Sequence, residues 1–298
     1  MIPSVEIENT QDLFMRLGVN KNTLSSAQKK FLNEEGYLII PPTDFLKKNI
    51  KTLNDVTNEL IKKEGVDGGW EGKEKNNKYG KGLEFEVGSD RLGNLIEKDI
   101  IFRQLLLIPE VLASAFEVIN SDIKVSGLNL RNPRRGYGKQ SYHIDCAPKN
   151  NASDNFCGVV CIMNLDDTTL ENGATRIIPK TQKIMGWPND HINVDETHKC
   201  EIRTTLPSGS ITVINMNTWH AGATNVSGEK RKTISLQILR RDEPQLLNYK
   251  KYLQKKTINS LSEALKYLLA TRESDFTFEE MSASPGQEFK KKFGKERY

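Results

Sequence analysis

The chain has 298 residues, 37 % of them hydrophobic and 28 % charged, with a formal net charge of +4. Those values exclude a disordered polyelectrolyte and leave enough apolar residues to bury one large core. No apolar run approaches the roughly 18 residues of a membrane helix, so no membrane partner is expected. The first residues lack a secretory pattern, the last are not an organelle address, and four cysteines do not make a disulfide framework. A cytoplasmic protein is the expectation. The charge excess lies at the end of the chain, where Lys290, Lys291, Lys292, Lys295 and Arg297 face only Glu296. It reads as a solvated tail, and no nucleic-acid partner is expected.

In chain order, residues 1–22 are polar and read as a loose lead-in. Ser25-Ser26 and Gly36 bracket a helix over residues 27–35, as serine and glycine do at the two ends of helices. Tyr37-Leu38-Ile39-Ile40 is a short strand closed by Pro41-Pro42. A second helix spans about 44–64, with Phe45, Ile50, Leu53, Val56, Leu60 and Ile61 near the helical period. Residues 64–93 hold eight of the 21 glycines and read as a long loop, a lid or an insertion. A third helical stretch, 99–120, is interrupted at Pro109. From Ile123 the pattern changes to short strands: 123–131, 156–165, 174–178, 210–216 and 233–240, separated by turn signals such as Glu171-Asn172-Gly173. Strands without intervening helices predict a mainly β domain with flanking helices, an antiparallel barrel or jelly roll. The domain spans residues 23–245, and residues 246–298 form a helical, basic extension packed on the same single domain.

Chemistry concentrates on few residues. There are four histidines, at 143, 191, 198 and 220. In a strand, residues two apart share a face, so His143 and Asp145 can aim at one point. His220 follows the strand 210–216 and can return to the same interior. Two imidazoles and a carboxylate make the facial triad of non-haem ferrous oxygenases, with three adjacent positions left open. Arg231 lies eleven residues after His220, across a hairpin turn, where its guanidinium can grip a carboxylate bidentately; Thr233 shares its face. Gln140, three before His143, is a candidate for co-substrate contact. Arg131, Tyr137, Arg176 and Trp219 are candidates for substrate contact. His191, His198 and Cys200 fit no common zinc spacing and read as a solvated loop. Cys157 and Cys161 read as small packed hydrophobes, and Cys146 points away from Asp145.

The segments His143-Ile144-Asp145, Leu165 to Pro179 with its Glu171-Asn172-Gly173 turn, Trp219-His220-Ala221-Gly222 and Arg231 together resemble the phytanoyl-CoA dioxygenase family over residues 25–245. Arg131-Asn132-Pro133, Gly136, Gly138 and Gln140 add to the likeness. The resemblance implies a double-stranded β-helix, a jelly roll of cupin-like form, with Fe(II) on His143, Asp145 and His220. It also implies 2-oxoglutarate held by Arg231 with Thr233, and O2 as co-substrate. The implied activity is hydroxylation of a small molecule with release of succinate and CO2. Desaturation or ring formation by the same iron chemistry is one alternative; a non-catalytic cupin-like binding protein is the other. The chain departs from the family in reading Pro179-Lys180-Thr181-Gln182 where Pro-Gly-Ser-His is common. With Asp145 in place, the halogenating variant is not expected.

Overall fold

The computed structural model describes residues 6–64 and 88–272. Most of the glycine-rich segment and the basic tail lie outside the described residues. A helix, α1 (Thr10–Leu17), opens the described chain. It differs from the expected loose lead-in because Asn9 caps one end, Gly18 turns the other, and Leu13 and Phe14 are buried. Next come α2 (Ser26–Glu35), β1 (Tyr37–Ile40) and α3 (Asp44–Glu64). Ser25 and Gln28 form a reciprocal capping box at the start of α2. Gly36 ends it with a φ of +79°, and a β-carbon there would lie 2.4 Å from the Thr218 hydroxyl.

Past the undescribed segment, β2 (Ser89–Leu92) is followed by α4 (Leu95–Lys98), α5 (Ile100–Leu105) and α6 (Pro109–Ile119). Pro109 therefore starts a helix, as its fixed φ and missing N–H allow. The strands are β3 (Ile123–Pro133), β4 (Gly158–Asn164), β5 (Arg176–Ile177), β6 (Ile202–Arg203), β7 (Ile211–Asn215), β8 (His220–Ala221) and β9 (Thr233–Arg240). Three short helices close the described chain: α7 (Tyr249–Tyr252), α8 (Lys255–Ser260) and α9 (Glu263–Leu268).

Six antiparallel strands form one sheet in the order β1-β7-β4-β9-β3-β2, and three form a second in the order β6-β5-β8. Strand alternation divides the large sheet's residues by chemistry. Leu128, Leu130, Cys161, Met163, Ile211, Val213, Ile234, Leu236 and Ile238 all enter one core, with Leu13 of α1, Leu46 and Leu53 of α3, Leu112 of α6 and Leu265 of α9. The helices thus cover the outer face. On the inner face Tyr37, Val160, Ile214 and Leu239 pack with Ile177 of the second sheet. Beside them the inner face carries a polar stripe: Asn129 and Arg131 on β3, and Thr233, Ser235 and Gln237 on β9. Two sheets with a polar interior between them form the jelly roll, and the polar stripe lies on the inner face of the large sheet.

Cys146 and Cys157 form a disulfide. This corrects the reading of Cys157 as a simple packed hydrophobe; the loop 146–157 brings it back beside Cys146, a proximity that sequence separation does not reveal. Cys161 is free and fully buried in the core, as expected. No helix among the described residues is long and apolar enough to cross a membrane.

Candidate metal and co-substrate site

His143 and His220 are brought together by the backbone. Each donates its N–H to the other's carbonyl oxygen, at 3.0 and 3.1 Å, in an isolated antiparallel bridge. Their rings lie 4.5 Å apart between centroids. Asp145, two residues on, is anchored by its N–H to the Met216 carbonyl at 2.8 Å. Its carboxylate lies 3.9 Å from His143 Nε2 and 3.5 Å from His220 Nε2. One ligand atom from each of the three residues falls within 4.8 Å of the others. No other group of three or more His, Cys, Asp or Glu among the described residues could hold a metal.

Both imidazoles are oriented by backbone carbonyls. His143 Nδ1 lies 2.9 Å from the Ser141 oxygen, and His220 Nδ1 lies 2.9 Å from the Thr218 oxygen. A carbonyl can only accept, so each Nδ1 carries a proton, and Nε2 is the atom turned toward Asp145, open to a metal once its own proton is lost. That is the tautomer a metal requires, fixed by the groups behind the ligands. Burial alone would push the His220 imidazolium down. The hydrogen bond and charge of Asp145 outweigh it and raise the group above its ordinary value. Two buried nitrogens and a carboxylate, all aimed at one point, are a donor set that suits a divalent transition metal.

A cavity of about 110 Å³ adjoins these three residues and is lined also by Asn129, Arg131, Gln140, Thr175, Arg231 and Thr233. Arg231 is 2 % exposed. Its Nη1 donates to the Gly173 carbonyl at 2.6 Å, and its backbone N–H to Asn132 Oδ1 at 3.1 Å. The Glu171-Asn172-Gly173 turn thus carries the oxygen that aims the guanidinium. Gln140 Oε1 accepts from the Gly222 N–H at 3.0 Å and from Arg131 Nη1 at 3.2 Å. Both partners are donors, which fixes the amide so that its NH2 is the end offered to the cavity.

Of the expected substrate contacts, Arg131 reaches this cavity and three do not. Arg176 pairs with Glu201 at 2.9 Å, donates to the Glu196 carbonyl at 2.8 Å and lies over the Tyr142 ring. Trp219 is buried among Tyr142, Ile144 and Ile178. Tyr137 is 45 % exposed and packs over Gly88. His191 and His198 sit in an exposed loop, with His191 Nε2 on the Met185 carbonyl. Sequence reading passed over Arg91, Asn129, Thr175, Ser235 and Gln237, all of which line the cavity. The signal was there on β9, where Thr233, Ser235 and Gln237 alternate with Ile234, Leu236 and Ile238. Polar residues at every second position of a buried strand mark a face turned to a cavity rather than to core.

A profile of the phytanoyl-CoA dioxygenase family matches residues 32–233, well over half of the chain. The chain belongs to that family. A curated relative, Dioxygenase af480 of Aspergillus fumigatus, is 28 % identical over 182 residues, covering 60 % of this chain and 58 % of its own. The matched part thus spans less than two thirds of that relative. Among solved structures, the non-haem α-ketoglutarate-dependent carbocyclase SnoK from nogalamycin biosynthesis superposes with a TM-score of 0.56 at 17 % identity, covering 81 % of this chain and 92 % of that one. HygX of Streptomyces hygroscopicus, solved with nickel, 2-oxoglutarate and hygromycin B bound, gives 0.57 at 13 % identity, covering 75 % and 90 %. At these identities the two structures speak for the fold.

Proposed function

We propose that the chain is a non-haem iron, 2-oxoglutarate-dependent dioxygenase that hydroxylates a small molecule and releases succinate and CO2. His143, Asp145 and His220 hold Fe(II), and Arg231 with Thr233 holds the far carboxylate of 2-oxoglutarate. The observation that carries this reading is the convergence of three ligand atoms within 4.8 Å, beside a cavity lined by the buried Arg231. Iron with 2-oxoglutarate and O2 supplies the oxidising chemistry, and the chain supplies orientation and exclusion of water. The Ser141 and Thr218 carbonyls keep the two imidazoles in their metal-binding tautomer. Arg231, held by the Gly173 carbonyl, brings a guanidinium to the cavity, a planar fork that matches a carboxylate as lysine cannot. Gln140, itself held by Gly222 and Arg131, presents NH2 donors on the same side.

The test is succinate formation with Fe(II) and O2, set against iron content. His143→Ala is expected to lower both by about 100-fold or more, since one of three protein ligands is lost. Arg231→Met is expected to keep iron and raise the KM for 2-oxoglutarate by at least about 10-fold. Succinate formation by His143→Ala at the normal rate sinks the assignment. A product heavier by one oxygen separates hydroxylation from desaturation or ring closure. Absence of succinate with metal bound would leave the binding-protein reading.

A further inference from the structure

A second and larger cavity, about 730 Å³, lies on the other side of Asp145. Its walls are the loop 146–157, stapled by the Cys146–Cys157 disulfide, and the segment 240–246 that leaves β9. Its size is that of a pocket for a drug-sized molecule. Two of its residues, Asp145 and Gln237, also line the smaller cavity. Gln237 therefore stands where the two spaces meet.

Gln237 is 8 % exposed. Its side-chain amide makes no hydrogen bond with another described residue, although β9 lies in the middle of the sheet, between β3 and β4. Register explains the room it has. Across the sheet its neighbours are Gly127, which has no side chain, and Val160. The ladder shifts between Val125 and Gly127, and this irregularity turns Ser126 into the larger cavity. A buried amide normally finds partners, and one that opens onto a cavity finds them in whatever fills it. An amide offers two N–H donors and a carbonyl acceptor, all uncharged, so it suits a hydroxyl, carbonyl or amide rather than a charged group.

The charges of the larger cavity point the same way. Its described walls carry Lys149 and Arg240 as cations, and Asp154, Asp242 and Glu243 as carboxylates besides Asp145. Arg240 is already committed to Asp242 at 2.5 Å and to Glu243 at 2.9 Å. Lys149 donates to the Ala152 carbonyl at 2.8 Å and lies over Phe156. No cationic surplus is left for a diphosphate. Nor is the wall an apolar tube for an acyl chain, since Ser126, Asn155 and Asn217 interrupt it.

Building on the oxygenase reading above, we propose that the larger cavity is the substrate chamber, that it takes a neutral or cationic molecule bearing several polar groups, and that Gln237 is a specificity-determining residue hydrogen-bonded to one of them. A coenzyme A thioester is excluded on this assignment. The test uses the full chain with Fe(II), 2-oxoglutarate and O2. Small molecules extracted from the producing cells are split on an anion exchanger into retained and unretained pools, with palmitoyl-CoA as a separate probe. The unretained pool is expected to raise succinate formation at least ten-fold. Gln237→Leu, near in volume, is expected to unfold at the same temperature or higher. It is also expected to lower kcat/KM for the compound purified from that pool at least five-fold, chiefly through KM. Stimulation confined to the retained pool or to palmitoyl-CoA overturns this proposal and leaves the oxygenase reading standing. So does a Gln237→Leu protein within two-fold of the parent. Stimulation by none of the three overturns both. The charge half is read on the parent chain alone, so it stands even where the variant does not fold.

Discussion

At Gly222 a β-carbon would lie 2.5 Å from the Gly138 carbonyl, 2.7 Å from Arg131 Nη1 and 2.9 Å from Gln140 Oε1. Only a residue without a side chain lets these groups close around the cavity. Gly222→Ala is expected to cost about 1–3 kcal/mol by overpacking and to raise the KM for 2-oxoglutarate several-fold, with iron content retained. Denaturant titration and metal analysis of one preparation check both halves. Single residues were legible in the sequence where local geometry was enough. His143 and Asp145 share a face because they are two apart, and the structure brings both to His220. Arg176 was not legible in this way. Thr175 lines the cavity while Arg176, one residue on, meets Glu201. A polar residue's type does not tell which side of a two-residue strand it takes.

Among elements, β9 carries the clearest division of labour. Ile234, Leu236 and Ile238 face the helical layer, and Thr233, Ser235 and Gln237 face the interior. Leu236 is fully buried. Leu236→Ala is expected to cost about 2–5 kcal/mol of stability, the usual range for a core truncation. Ser235→Ala, one position away, is expected to stay within about 0.5 kcal/mol and to act on 2-oxoglutarate or substrate binding instead. Equal losses for the two would contradict the assignment of faces. The same periodicity made β9 readable over its full length, Thr233–Arg240, and the caps made α2 readable. Helix α1 escaped because it is only eight residues long, too short for a periodic signal, though its Asn9 and Gly18 caps were in view.

Over the whole molecule, two long-range devices hold the site's surroundings. The first is the buried group of Tyr142, Arg176, Glu201 and Arg203. The Tyr142 hydroxyl donates to Glu201, which also pairs with Arg203 at 2.6 Å. Burial first, and then the hydrogen bond to Glu201, push the Tyr142 phenol from 10.0 up to about 12. The protonated phenol is thus favoured by the fold. Its contribution is complete below the ordinary value of 10.0 and is lost as pH rises toward about 12. Urea midpoints are expected to fall over that window, and more gently in Tyr142→Phe. An equally steep fall in the variant would assign the alkaline loss to other groups. The second device is the disulfide. Closing a loop of eleven residues' separation is expected to contribute about 2–3 kcal/mol, so Cys157→Ser should lower stability by that amount without reductant and hardly at all with it.

By itself the sequence determined the class of element along most of the chain, and it put forward His143 with Asp145, two apart, and His220 with Arg231, eleven apart, as candidates from residue type and local spacing. The disulfide, the meeting of His143 with His220 across one backbone bridge, the fate of Arg176 and Trp219, and the standing of Gln237 between two cavities were decided only in three dimensions. They depend on which strands lie side by side and in what register. That choice is made by the packing of the whole core, to which no short stretch of residues has access.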